Sequence, residues 1–250
     1  MSHFSLSCAI SAFVGFQSLF WASKMLAFRF SKKYRTLTPY DQNQWAQFVC
    51  SFVKGTLVCA KIYPVVWLYW PKVFEFDSFD GGIKGTAVEQ PLYVFLGYAL
   101  SDTISVISQF DHRKGDAPML IHHIITAGGW MYLLMVDFGR DIACVACMVE
   151  ISTPLLAVRW FMALFDLKTG PLYVINGLLI LIMWWVLRVF LYVGFFGYKL
   201  YYVMTLSVPR DIPIVVAWTV GSALQLFWAY KLTVGFVKVA NKTLSQRKEK

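Results

Sequence analysis

The sequence has few charged residues for its length. Asp, Glu, Lys and Arg make up 15% of the 250 residues, whereas hydrophobic residues make up 58% and aromatic residues 18%. A soluble domain of this size would carry roughly a quarter charged residues. The scarcity of charge, with apolar residues grouped into long runs between short charged loops, excludes an ordinary soluble protein. It predicts an all-α polytopic membrane protein, because a helix satisfies its own backbone polar groups in lipid.

Patterns that hold metal ions are also scarce. The five cysteines all lie in apolar segments, and their one Cys-x-x-Cys spacing has no second pair, so we interpret them as packing residues. His122 and His123 are adjacent and lack the His-x-x-x-His spacing with which a helix binds zinc. A site built from His122, Asp102 and Glu150 is an alternative, but we predict no metal.

About seven apolar segments are long enough to cross a bilayer. They cover approximately residues 4–23, 48–70, 91–110, 119–136, 142–165, 172–198 and 212–237. No basic residue precedes the first segment and five follow it within 24–35, the reverse of a cleaved signal peptide, so we expect an uncleaved anchor. The predicted organisation is a first span with a basic loop over 1–46, a six-span domain over 47–238 and a basic tail over 239–250.

The charges of the loops predict the topology. If the loop after the first segment is cytosolic, thirteen basic residues of the loops and tail lie on that side and five on the other. Because basic residues favour the cytosolic side, the N-terminus is expected in the lumen and the C-terminus in the cytosol. The net charge of +9 is therefore a topology signal, and nucleic acid is excluded as a partner.

Several titratable side chains lie inside the predicted spans, where they are costly and indicate function. A rise of about 1.5 Å per residue places His122 and His123 about 5–6 Å inside one end of their span, and Asp102 and Glu150 each about 12 Å from an end of theirs. Adjacent helix residues point about 100° apart, so one histidine can face a cavity while the other bonds to a neighbouring helix through one of the acids. A histidine held in this way suits acyl transfer as base or nucleophile. The alternative is a structural clamp between helices.

Lysines and arginines also occur within the predicted spans. Lys54 and Lys61 are seven residues apart and so share a helix face. They are candidates for binding a phosphate or the acidic head of an acyl chain, or for pairing with the acids. Arg188 is expected to snorkel or pair, and Arg159 is expected to snorkel. Lys231 lies too near the cytosolic edge of the last span to be the mid-membrane lysine of a retinal protein.

Four short motifs resemble one known family. The segment Asp111–Thr126, with its Arg-Lys-x-Asp and His-His-Ile-Ile-Thr, resembles the TLC-domain family, which contains the ceramide synthases. Val-Glu-Ile-Ser-Thr-Pro at 149–154, Arg-Trp-Phe at 159–161 and Val-Ile-Asn-Gly at 174–177 resemble its smaller branch of TLC domain-containing proteins, which includes transmembrane protein 56. The resemblance extends over about 47–237.

The resemblance implies a helical bundle around a lipid-sized cavity in the endoplasmic reticulum or a connected membrane, with a membrane lipid or fatty acyl chain as partner. In ceramide synthases a matching histidine pair, here His122 and His123, is implicated in acyl transfer from acyl-CoA to a sphingoid amine. The synthases continue with His-Asp-x-x-Asp where this chain has Val149, Glu150 and Thr153. We therefore expect lipid binding or sensing that influences membrane lipid composition. The alternative is an N-acyltransferase with acyl-CoA as co-substrate and no other cofactor.

Overall fold

The described residues of the chain are almost entirely helical. A computed structural model describes residues 3–68, 86–111, 116–136, 140–168, 170–204 and 212–248. The α-helices of these ranges are α1 His3–Phe30, α2 Lys32–Arg35, α3 Pro39–Leu68, α4 Thr86–Ile107, α5 Asp116–Val136, α6 Arg140–Met148, α7 Ser152–Leu164, α8 Pro171–Met183, α9 Phe196–Met204 and α10 Ile212–Lys248. A 3-10 turn, Val149–Ile151, joins α6 to α7, and a π-helix, Trp184–Phe195, joins α8 to α9. These ranges contain no strand, which confirms the all-α prediction.

Five helical stretches of the described chain are long and apolar enough to cross a membrane. They are Leu6–Phe30, Pro39–Leu68, Ala143–Leu164, Pro171–Tyr198 and Ile212–Lys238. Helices α4 and α5 correspond to the third and fourth predicted segments but are not among these five. They have 22 and 21 residues, which is a spanning length, and they carry Asp102 and the two histidines. The chain is an integral membrane protein, and the predicted count of seven spans is approximate.

Helix α4 lies at the centre of the bundle, where it packs against α1, α3 and α5. Leu92 and Ala99 of α4 and Val58 and Ile62 of α3 are almost fully buried in the core. Gly97 permits the close approach of α1, since a Cβ at this position would lie 2.6 Å from the Cβ of Ala12. The polar residues of α4 are thereby enclosed by neighbouring helices.

The backbone differs from the sequence prediction in three places. The fifth predicted span is not one regular helix, because the 3-10 turn Val149–Ile151 interrupts it. The sixth contains twelve residues of π-helix, a rare form that is frequent at functional sites. The predicted tail from residue 239 is helical as far as Lys248, as the end of α10. His112 and several loop charges used for topology, at 72, 84, 113, 114 and 210, lie outside the described residues, so the orientation stays a prediction.

Candidate functional site

The bundle contains a cavity of about 620 Å³, which we call the larger cavity. Its outer end is lined by Tyr40, Asp116 and Tyr173, each within three residues of the first residue of α3, α5 or α8. Loop charge predicts that this end of the bundle is cytosolic. From here the cavity reaches inward to the residues singled out by the sequence. Its volume is typical of a small-molecule site.

A smaller cavity of about 90 Å³ lies beyond the inner end of the larger one. Phe95, His122, Glu150 and Arg188 line both cavities. We call these four residues the partition. Most other residues around the smaller cavity are apolar or lack a side chain: Ile125, Gly129, Trp130, Leu133, Ala146, Val149, Ile214, Ala217, Trp218 and Gly221. The polar groups are therefore concentrated in the partition and the larger cavity.

His123 contacts the neighbouring helix. Its Nε2 lies 2.8 Å from Oδ2 of Asp102, and both residues are buried. The ring nitrogen makes no aligned hydrogen bond, so this is a close polar contact that the carboxylate orients electrostatically. The hydroxyl of Tyr98 donates to the same oxygen at 3.2 Å and lies 2.7 Å from the hydroxyl of Ser51. The chain Ser51–Tyr98–Asp102–His123 thus connects α3, α4 and α5.

His122 lines both cavities, whereas His123 lines only the larger one. Its Nδ1 lies 3.4 Å from Oγ1 of Thr126, one turn further along α5, and its ring meets Trp228 edge-on at 5.4 Å. Its Nε2 makes no hydrogen bond to the described residues. His123 is therefore the histidine that contacts an acid of the neighbouring helix, and that acid is Asp102.

Glu150 is held by cations and not by a histidine. The Nζ of Lys54 donates to Oε2 of Glu150, the hydroxyl of Thr153 donates to the same oxygen at 2.7 Å, and Nη2 of Arg188 lies 3.8 Å from Oε1. These contacts satisfy a carboxylate that is only 4% exposed. The prediction that Glu150 orients an imidazole does not match the structure, because its carboxylate oxygens contact Lys54 and Arg188 and no histidine.

Arg188 was not among the predicted site residues, although it lies at the centre of the site. Its Nε donates to Oγ of Ser152 at 3.0 Å, Nη1 to Oε1 of Gln225 at 3.2 Å and Nη2 to the carbonyl of Val149 at 3.3 Å. It pairs and does not snorkel. The signal that could have found it is an arginine inside an apolar span, facing a glutamine in the next span.

Comparison with known proteins identifies the family. Residues 44–234 match the TLC domain. The chain belongs to the TLC domain family. TLC domain-containing protein 4-B of Danio rerio is 26% identical over 245 residues, which are 95% of this chain and 90% of the relative. TLC domain-containing protein 4 of Homo sapiens is 24% identical over 241 residues, or 94% and 90%. The predicted resemblance is confirmed, and the family indicates a function related to membrane lipids.

Two sequence predictions about the site of this TLC domain find no counterpart in the structure. Lys61 is exposed and donates to Oε1 of Gln90 at 3.2 Å, outside both cavities. Seven residues separate it from Lys54 by about 10 Å along the helix, which carries it away from the site. The alternative metal site is not formed either. Asp102 and Glu150 have different partners, and the described residues hold no group of three or more metal-binding side chains.

The charges of the inner site balance. Lys54 and Arg188 are two cations, and Asp102 and Glu150 are two carboxylates, all less than 10% exposed. With neutral histidines the group has no net charge, which limits the cost of burying it. His122 lines both cavities, and its Nε2 makes no hydrogen bond to the described residues. Chemically, the site can exchange a hydrogen bond or a proton with a ligand at His122 while the other charges stay paired.

Proposed function

We propose that this TLC domain binds an acyl-chain lipid in the larger cavity and thereby influences membrane lipid composition. The observation that supports it is a cavity of about 620 Å³ inside a membrane bundle, lined by both aromatic and polar side chains. Apolar burial stabilises a bound chain by about 25 cal/mol per Å². A protein that holds such a chain can sense or redistribute it.

The walls suit an alkyl chain. Phe48 stacks on Trp160 at 4.8 Å and 22° between ring planes, and both line the larger cavity. Trp184 is fixed by a 3.1 Å hydrogen bond from its Nε1 to the carbonyl of Gln225. Rigid aromatic surfaces of this kind bind apolar groups at low entropic cost. In our proposal the chain lies along them, and its end passes the partition into the smaller cavity.

One observation favours a second candidate, an acyl-CoA-dependent N-acyltransferase. His122 lines both cavities and its Nε2 makes no hydrogen bond to the described residues, while the adjacent His123 contacts the buried Asp102. In this candidate the amine nitrogen attacks the acyl carbonyl, the bond to the CoA sulfur breaks, and His122 accepts the proton that the amine loses. Asp102 and His123 would position His122 through the packing of α4 on α5.

We propose the endoplasmic reticulum or a connected membrane as the location, with the N-terminus lumenal and the C-terminus cytosolic. The orientation is supported by thirteen basic residues on the predicted cytosolic side against five on the other, and the location by the family resemblance. Protease protection of epitope tags at the two termini in intact microsomes tests this orientation. Digestion of a C-terminal tag alone is expected, and the reverse pattern contradicts it.

Mass spectrometry separates the two candidates. Purified protein is extracted for bound lipid and then incubated with oleoyl-CoA and sphingosine, beside His122→Ala and Thr219→Ala. Thr219 is an exposed control whose hydroxyl bonds its own helix. Bound lipid without an acyl amide product supports binding. An amide made by the wild type and by Thr219→Ala, but not by folded His122→Ala, establishes the transferase. If the protein yields no bound lipid and makes no amide, both candidates are contradicted.

A further inference from the structure

The cations of the larger cavity fall into two groups. Lys54 and Arg188 lie at its inner end and are paired with Glu150. Arg159 and Lys231 line it nearer the outer end, and neither lies within ion-pair distance of a carboxylate among the described residues. The outer end thus has two cations without an ion pair to the described residues.

Arg159 is held in a fixed position by its neighbours. Its Nη1 donates to the carbonyl of Tyr173 at 2.8 Å, and its Cζ lies 3.9 Å from the centre of the Tyr173 ring. Gly177 makes room for it, because a Cβ there would lie 3.0 Å from that Cζ. This is the one hydrogen bond of the guanidinium within the described chain, so further N–H donors remain. A held guanidinium with spare donors is suited to bind a carboxylate or phosphate with two hydrogen bonds.

Lys231 adds a second charge from another helix. It is exposed, its Nζ lies 4.4 Å from the centre of the Phe227 ring, and it has no ion pair to the described residues. Asp116 is the carboxylate that lines this end of the cavity, and it accepts hydrogen bonds from the hydroxyl of Tyr40 at 2.8 Å and from the N–H of Asp111 at 2.9 Å. Asp41 and Asp111 lie near Tyr40 but do not line the cavity. Among the residues that line this end of the cavity there are therefore two cations and one carboxylate, and that carboxylate already accepts two hydrogen bonds.

We infer that the lipid bound in this cavity has an anionic polar group, a carboxylate or a phosphate, which Arg159 and Lys231 hold at the outer end. This inference rests on the proposed lipid-binding function. Nine residues separate Arg159 from Glu150 along the same span, about 13 Å at helical rise. A chain attached to the anion therefore passes the aromatic walls before it reaches the partition, where the protein's charges are already paired. The site disfavours neutral amphiphiles and, more strongly, cationic ones.

Four amphiphiles that share a long monounsaturated chain test the inference. Binding of oleate, oleoyl lysophosphatidate, monoolein and sphingosine to the full chain is measured by native mass spectrometry. At least one anion is expected to bind about fivefold more tightly than monoolein, with sphingosine weakest. Preference for oleate or for lysophosphatidate then separates a carboxylate from a phosphate ligand. Equal binding of anions and monoolein, or tighter binding of sphingosine, overturns the inference and leaves lipid binding intact. Failure of all four to bind contradicts the proposed function itself.

Variants assign the selectivity to the two cations. Lys231→Gln is expected to weaken anion binding about threefold to fivefold and to leave monoolein unchanged. Arg159→Gln should lose more, and Arg159→Lys should keep part of the preference. Lys168→Gln, an exposed cation outside the cavity, is the control. If Arg159→Gln does not fold, Lys231→Gln alone tests the assignment, because Lys231 is exposed and its replacement leaves the buried packing unchanged. Unchanged selectivity in folded Lys231→Gln, or an equal loss in Lys168→Gln, overturns the assignment.

Discussion

The imidazole of His123 and the carboxylate of Asp102 approach to 2.8 Å across the packed surfaces of α5 and α4. Asp102 also accepts a hydrogen bond from the hydroxyl of Tyr98. The contact therefore links these two helices through buried polar groups. The neighbouring His122 is the histidine that lines both cavities.

Removing this carboxylate should destabilise the bundle. Asp102→Ala removes the buried polar partner of the His123 ring and leaves the hydroxyl of Tyr98 with Ser51 alone, at a cost of about 1–3 kcal/mol. Thermal unfolding in detergent measures the loss, and Asp102→Asn should recover part of it through its amide oxygen. If Asp102→Ala unfolds at the wild-type temperature, the contact does not hold the helices together.

The Lys54–Glu150–Arg188 cluster predicts an asymmetric response to mutation. Glu150→Gln leaves two buried cations without a counter-charge and should cost about 3–5 kcal/mol. Lys54→Met keeps Glu150 beside Arg188 and should cost less. Unfolding of the two variants, monitored by tryptophan fluorescence, gives the order of their stabilities. A Lys54→Met protein that is less stable than Glu150→Gln contradicts this view of the charge balance.

Gly55 sets the distance between α3 and the 3-10 turn. A Cβ at this position would lie 2.8 Å from Cδ of Pro154 and 3.1 Å from the carbonyl oxygen of Glu150. Gly55→Ala should therefore destabilise by about 1–3 kcal/mol through overpacking. Gly15→Ala is the matched control, because nothing lies within 4 Å of its added Cβ. Unfolding temperatures that fall equally, or not at all, count against close packing at Gly55.

The smaller cavity predicts an effect on chain length. Gly129 lines it, and an added Cβ would lie 3.5 Å from that of Ala217, so a larger side chain must project into the space. Gly129→Val should shift the co-purified lipids toward shorter chains. Gly128→Val is the control on the same helix, because its added Cβ meets nothing within 4 Å and both changes carry the same β-branched penalty. Identical chain-length profiles, determined by lipid mass spectrometry, would show that the chain does not enter this cavity.

The sequence predicted the helices and the polar residues of the site better than it predicted their partners. Charge scarcity and apolar runs determine where helices lie in a membrane protein, because lipid offers the backbone no other partner. Asp102 and the two histidines could be placed on adjacent helices from their spacing and depth alone. The sequence could not show that Asp102, and not Glu150, is the acid beside His123, because both acids had the same estimated depth.

The missed features depend on local backbone geometry and tertiary packing. Hydropathy does not record a 3-10 turn at Val149–Ile151 or a π-helix at Trp184–Phe195, and these interruptions occur where Glu150 and Arg188 meet. Periodicity placed Lys61 on the face of Lys54, but a helix face says nothing about how far a cavity extends along it. Arg188 was given a default role because its partners come from other spans.

The amount of lipid that co-purifies with a cavity-filling variant tests the central claim most directly. Ala163 lines the larger cavity, whereas Ala223 is exposed on another helix, so Ala163→Trp and Ala223→Trp make the same change inside and outside it. Bound lipid per folded chain is measured by quantitative mass spectrometry for both variants and the wild type. We predict that the wild type and Ala223→Trp retain lipid and that Ala163→Trp loses most of it. Equal lipid in all three proteins, or none in the wild type, would contradict lipid binding in this cavity.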